Sequence, residues 1–285
     1  GHLVMLASGI GPGDEVITTP FTFFATASVV IMAGAKPVFV DVEEDGFCLD
    51  PSKVEAAITD KTKAIHPVHL YGELADMPSF LEITKKNNLL LIEDSAQAHC
   101  ANSWEGNAGS FGKAGWFSFY PTKNMTTSEG GIITTNDEDF ANKCKIIRAH
   151  GMSAQYQHTE FGYNYRMTDI SAAIGREQLK KLPNFNARRR EIAERYNSEL
   201  SDLVITPKNR RGHVFHQYTI RSDKRDELRE FLLERKINTG IYYPSLLYNY
   251  PSMKEYQSSC PNAENLVKEV LSLPVHPALS DSDVF

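Results

Sequence analysis

Asp94, Ser118 and Lys123 are the residues of this chain whose types and positions could act together chemically. Asp94 follows the apolar run Leu89–Ile92 and Glu93. If that run is a strand, the carboxylate sits at the carboxyl edge of a sheet, where open α/β folds bind their ligands. An acid at that position also serves as the N-cap of a following helix, and alone the segment allows either reading. Ser118 lies in the aromatic run Gly115–Tyr120, and Lys123 follows it by five residues. A lysine after a strand is ordinarily a solvated surface residue. Lys123 differs because its neighbours are turn formers and hydroxyls (Pro121, Thr122, Thr126, Thr127, Ser128), followed by Glu129-Gly130-Gly131. Such a setting can anchor a phosphate beside an amine.

These residues need a scaffold, and the sequence up to about residue 125 describes one. Short β-rich runs at Glu15–Thr18, Pro37–Val40, Ala64–His69 and Leu89–Ile92 alternate with helical stretches at Ala25–Ala33, from about Asp50, and at Met77–Asn87. Strands that read as continuous apolar runs between helices predict a mostly parallel sheet covered on both faces, an α/β domain. From about Asp169 the texture changes. A long helical segment over 169–200 is expected to break at Pro183. A strand at Gln217–Arg221, a helix over 224–235 and a strand at Gly240–Tyr243 then suggest a smaller α+β domain. The expected division is residues 1–185 and 186–285.

Bulk properties remove several classes of function. A formal charge of −6 without a basic stripe argues against nucleic-acid binding. The densest basic run, Arg188-Arg189-Arg190, lies near Glu191 and Glu194 and reads as a solvated helix face. No apolar run approaches the roughly 20 residues of a membrane span. Four scattered cysteines form no Cys-x-x-Cys pair, which fits neither a disulfide framework nor zinc and suits a reducing cytoplasm. His69 and His99 have no third ligand at usable spacing and read as pocket or core histidines, with no metal expected. The glycines of Gly9–Gly13 follow a helix-like run and precede a strand, the reverse of a dinucleotide-binding loop. An NAD-dependent oxidoreductase is therefore disfavoured.

The chain resembles the DegT/DnrJ/EryC1/StrS sugar aminotransferases, pyridoxal-phosphate (PLP) enzymes of the fold-type I, aspartate-aminotransferase-like architecture. The matching stretches run in family order: Gly9–Val16, Thr19–Ala27, Gly34–Asp41, Pro67–Gly72, Glu93–His99, Ser118–Asn124, Glu129–Gly131 and Gly162–Arg166, with His216–Ile220 and Gly240–Pro244 further on. The resemblance implies roles. Lys123 matches the lysine that forms the Schiff base with PLP, and Asp94 the carboxylate that pairs with its pyridine nitrogen. Gln97 matches the contact to the cofactor's phenolic oxygen, Ser118 a phosphate-binding hydroxyl, and Phe23 the ring that stacks on the cofactor. Asn164 matches an asparagine that the neighbouring subunit lends to the phosphate, which implies a homodimer. His150 and Arg166 are candidates either for substrate contacts or for structural roles.

The implied reaction is transfer of an amino group, with glutamate as the expected donor, to a 3- or 4-keto nucleotide-linked sugar for amino-sugar or polysaccharide biosynthesis. A sugar dehydratase of the same fold would carry histidine in place of Lys123. A non-catalytic PLP-binding homologue is a further alternative. Against the family pattern, both ends of the chain are expected to lie inside a longer protein, and Leu247 stands where a histidine is common.

Overall fold

The computed structural model describes residues 1–284. Its first part runs α1 (His2–Ala7), β1 (Glu15–Thr18), α2 (Ala25–Met32), β2 (Lys36–Phe39), α3 (Pro51–Val54), β3 (Thr62–Ile65), α4 (Met77–Asn87) and β4 (Leu90–Asp94). β5 (Ala114–Ser118), β6 (Gly131–Thr134), α5 (Glu138–Arg148) and the short pair β7 (Met152–Ala154) and β8 (Gln157–His158) follow. The last part holds α6 (Asp169–Leu200), β9 (Tyr218–Arg221), α7 (Arg225–Glu234), α8 (Pro261–Glu269), β10 (Val270–Leu273) and α9 (Asp281–Val284).

Strands β1 to β6 form one sheet in the order β2-β1-β3-β4-β5-β6. Every pair is parallel except the hairpin of β5 with β6. The alternation of side chains along the strands shows why the runs read as continuously apolar. Ile17, Ile65 and Leu91 enter one core cluster while their neighbours Val16, Ala64 and Ile92 enter another on the opposite face. Strand order turns around between β1 and β3, so ligands are expected outside the carboxyl ends there. Asp94 ends β4 and Ser118 ends β5. The capping chemistry is local: Asp50, Asp76, Asp137 and Thr168 each accept a backbone N–H at the start of a helix.

Around the antiparallel pair β9 and β10, a separate cluster forms from Ala193, Phe215, Tyr218, Ile220 and Leu271. Residues between these strands return to the large sheet: Leu246, Leu247, Tyr248, Met253 and Leu266 pack in the same core as Ile17 and Phe80.

Three expectations are corrected. The helix does not break at Pro183; α6 is continuous from Asp169 to Leu200. A proline forfeits one hydrogen bond, but buried Leu182, Asn186, Arg189 and Ala193 form a single stripe across that point and hold both halves to the body. Gly240–Tyr243 is not a strand. Gly240 exchanges two hydrogen bonds with Ser272, 3.0 and 2.7 Å, after which the Tyr242 carbonyl is diverted to the Tyr71 hydroxyl. Finally, the Arg188–Arg190 run is not a solvated face, since Arg189 is only 4% exposed.

Candidate active site

A cleft of about 1370 Å³ opens at the carboxyl ends of β4 and β5, and Phe23, Asp94, Gln97, Ser118 and Lys123 all line it. Asp94 is 5% exposed. Its Oδ2 accepts from the Thr26 hydroxyl at 2.8 Å, and Thr26 in turn touches the Thr22 hydroxyl at 3.0 Å. Its Oδ1 accepts the Ala96 N–H at 3.1 Å. Asp94 thus lines the cleft while bracing the turn at Ala96; no helix starts there, so it is not an N-cap. Phe23, just ahead of α2, leaves its ring 58% exposed, 6.1 Å from the Tyr243 ring.

Gln97 is held at both ends of its amide. Oε1 accepts the Tyr71 N–H at 2.7 Å, and Nε2 donates to the Tyr243 hydroxyl at 3.0 Å. Tyr71 occupies the left-handed region at φ 58°, a conformation that a bulky residue adopts only when its surroundings enforce it. Here burial of the ring against Phe47, 5.0 Å between centroids, supplies that constraint.

Lys123 sits in the turn that follows β5, its N–H bonded to the Tyr120 carbonyl at 3.0 Å. Burial disfavours the ammonium and lowers the pKa of Lys123, while the charge of Asp94 opposes that shift. The next residue fixes the turn. Asn124 Nδ2 donates to Asn186 Oδ1 at 2.9 Å and to the Val214 carbonyl at 3.1 Å, so its Oδ1 accepts from His216 Nδ1 at 3.2 Å. Asn186 completes the chain by donating to the His99 carbonyl at 2.9 Å. A buried amide left half-satisfied is costly. Asn186→Leu should therefore lower stability by about 2 kcal/mol, read as a shift in the urea midpoint at unchanged slope.

The histidines divide by their partners. His69 Nδ1 accepts the Ala75 N–H at 3.2 Å, so Nε2 donates to Glu93 at 3.1 Å. Glu93, fully buried, also accepts from Gly109, Phe111 and Gly112 at 2.7 to 2.9 Å. That pair shapes the 109–112 loop, which bears on β5 so closely that a Cβ on Gly115 would lie 2.5 Å from the Gly109 Cα. His99 donates from Nε2 to the Ser118 carbonyl at 2.8 Å and so pins the end of β5. Both histidines bond to groups of the fold itself, and no cluster suited to a metal occurs among the described residues.

Burial depresses His99 to about 4, and burial with nearby Arg210 depresses His213 to about 3. An unfolded histidine titrates near 6.5. Between pH 6.5 and 4 the unfolded chain binds protons that the folded chain refuses, so stability falls as pH falls. His99 alone should cost about 3 kcal/mol across that window, at roughly 1.4 kcal/mol per pKa unit. Urea midpoints at pH 7 and pH 4.5 check this, and His99→Gln should flatten the decline.

Asn164 does not line this cleft. Its backbone bridges to Ala149, and its exposed side chain accepts from Arg166 Nε at 3.0 Å. His150 is also outside, its carbonyl bonded to His158. The sequence reading missed Thr26, Tyr71, Asn186, Arg189, His216 and Tyr243. His216 and Tyr243 lie inside stretches already matched to the family, which was the available signal. Thr26 and Tyr71 also lie in matched stretches (Thr19–Ala27 and Pro67–Gly72), whereas Asn186 and Arg189 act through tertiary contacts that no local pattern reveals.

A model of the DegT/DnrJ/EryC1/StrS aminotransferase family matches residues 1–285. The pleiotropic regulatory protein of Geobacillus stearothermophilus is 48% identical, over 98% of this chain and 78% of that protein. The UDP-N-acetyl-3-dehydro-α-D-glucosamine 3-aminotransferase of Acidithiobacillus ferrooxidans is 42% identical, over 99% of this chain and 78% of that protein. Among solved structures, NtdA from Bacillus subtilis, with pyridoxamine phosphate (PMP) bound, superposes with a TM-score of 0.93 at 32% identity, covering 99% of this chain and 68% of that one. Matched along its whole length, and with a lysine and a buried carboxylate brought into one cleft by the sheet edge, the chain belongs to the DegT/DnrJ/EryC1/StrS aminotransferase family and is a pyridoxal-phosphate-dependent aminotransferase.

Proposed function

We propose that this aminotransferase takes an amino group from glutamate and delivers it to a 3- or 4-keto carbon of a nucleotide-linked sugar. The observation that carries the reading is the convergence of Lys123 and Asp94 on one cleft in which burial favours the neutral amine. Pyridoxal phosphate, when bound, supplies an electron sink for the carbon that gains or loses the amino group. The residues present suit it. Asp94, oriented by Thr26 and the Ala96 N–H, would hold a protonated ring nitrogen in its charged form. Phe23 would cover the ring, Gln97 would face the phenolic oxygen, and Ser118 would serve the phosphate. Lys123, its ammonium disfavoured by burial, would bind the aldehyde carbon and carry a proton between substrate carbon and cofactor.

Size supports a large ligand pair. Pockets for one small molecule usually span about 300–1000 Å³, and this cleft exceeds that. The relative from Acidithiobacillus is named for a UDP-linked amino sugar, which favours the same substrate class here. A homodimer is part of the reading. Phe161, Ile170 and Ile174 are exposed, and the stacked rings of Tyr163 and Tyr165, 5.0 Å apart, flank Asn164 on this surface. Apolar exposure of that kind marks an interface; a second copy seated there would receive Asn164 as its phosphate contact.

The division at residues 1–185 and 186–285 is favoured by the separate cluster around β9 and β10. A cytoplasmic setting is favoured by four free cysteines, and no helix among the described residues is long and apolar enough to cross a membrane. A dehydratase would need a histidine where Lys123 stands.

The test is an assay of 2-oxoglutarate release from glutamate with a panel of 3- and 4-keto nucleotide sugars and the matching free keto-sugars. Release that requires the nucleotide-linked substrates supports the reading. Equal release with simple keto acids, and none with the sugars, overturns it.

A further inference from the structure

Arg189 is a buried cation for which the described residues provide no counter-ion. It projects from α6, and Nη1 donates to the carbonyls of Phe215, His216 and Val275 at 3.0, 3.2 and 2.7 Å. Among the described residues no carboxylate lies within ion-pair distance of it, and Nε is buried with no partner. Burial alone lowers its pKa to about 10. A desolvated guanidinium without an anion is expensive to keep, and the same residue lines the cleft that holds Lys123. Beside it, Gln217 leaves its Oε1 unpartnered.

We propose that Arg189 receives a carboxylate of the amino donor. The inference rests on the glutamate-donor reading and adds the group that recognises the donor. A guanidinium is a planar fork that meets a carboxylate with two parallel hydrogen bonds. Nη1 is committed to carbonyls and Nε is closed to solvent, which leaves Nη2 to meet the ligand first. Arg189 also donates to the His216 carbonyl at 3.2 Å, and His216 lines the same cleft as Lys123. An amino acid whose α-carbon lies at Lys123 has its carboxylates within a few bonds of that carbon. In a nucleotide sugar the diphosphate is set apart from the reacting keto carbon by the sugar ring. A 4%-exposed guanidinium suits the compact anion. Lys145 and Arg148 on α5, which also line the cleft, remain for the larger one.

The test uses the PLP-loaded protein with Arg189→Lys, which keeps the charge and loses the fork, and Arg189→Met, which loses both. Calorimetry gives Kd for glutarate, a dicarboxylate that cannot react, and for uridine diphosphate as the probe of the diphosphate site. Thermal unfolding establishes that each variant folds, and Arg189→Lys is decisive if Arg189→Met does not. We expect glutarate to weaken about 100-fold in Arg189→Met and about 10-fold in Arg189→Lys, the range of a charged hydrogen-bonded pair. Uridine diphosphate should stay within about twofold. Unchanged glutarate affinity in a folded variant overturns the inference while leaving the donor reading intact. An equal loss for both ligands overturns it in favour of a diphosphate or purely structural role. If the wild-type protein neither binds glutarate nor reacts with glutamate, yet reacts with an amine that has no carboxylate, the donor reading falls first and this inference with it.

Discussion

Lys123→Ala should abolish turnover while leaving the protein folded, with kcat falling by about four orders of magnitude, the upper range for losing a positioned acid–base group. The turn that carries Lys123 is fixed by its neighbour: Asn124 makes three buried hydrogen bonds that do not involve the lysine amine. The substitution removes a half-buried charge that the site disfavours, so thermal stability should hold or rise slightly. Single-turnover measurements with glutamate separate this from a folding defect. Added methylamine should restore part of the rate, because a small amine can occupy the vacated space and carry the proton. A variant that stays folded and keeps more than a tenth of the wild-type rate would remove Lys123 from the chemistry.

Asp94→Asn is expected to be nearly as damaging by a different route. The amide keeps the shape of the carboxylate, but its single oxygen can accept from only one of Thr26 and Ala96, and it no longer favours a protonated ring nitrogen. Losing a preorganised electrostatic partner typically costs two to three orders of magnitude, and kcat should fall by about that much. PLP affinity should drop by a smaller factor, and the visible band should shift with the changed protonation. Asp94→Glu should not rescue activity, since Asp94 is 5% exposed and its carboxylate is held between the Thr26 hydroxyl and the Ala96 N–H. Similar kcat values for Asp94→Asn and the wild type would contradict the assigned role.

The parts of the fold legible from sequence were those governed by local periodicity. The apolar runs of β1, β3 and β4 and the amphipathic pattern of α4 follow from side-chain alternation and helical spacing. The candidate residues at the sheet edge were legible in the same way, because Asp94 and Ser118 end strands and Lys123 closes the turn that follows. What stayed hidden depended on partners distant in sequence. Pro183 predicted a break that the buried stripe Leu182–Asn186–Arg189–Ala193 overrides. Gly240–Tyr243 has the composition of a strand, yet only Gly240 finds a ladder partner, in Ser272. Arg189 looked like one of three surface arginines because helix numbering alone does not say which face meets the body. The turn at Tyr71 and the grip on Gln97 need a backbone conformation that no residue in Leu70–Gly72 other than glycine would advertise.

The most direct test of the central claim is the visible absorption of the purified protein loaded with pyridoxal phosphate, followed as glutamate and then a keto nucleotide sugar are added. The account predicts a yellow band that glutamate bleaches and the keto-sugar restores, absent from Lys123→Ala protein under the same conditions. A folded protein that forms no such band with pyridoxal phosphate, or forms one identically without Lys123, would contradict it.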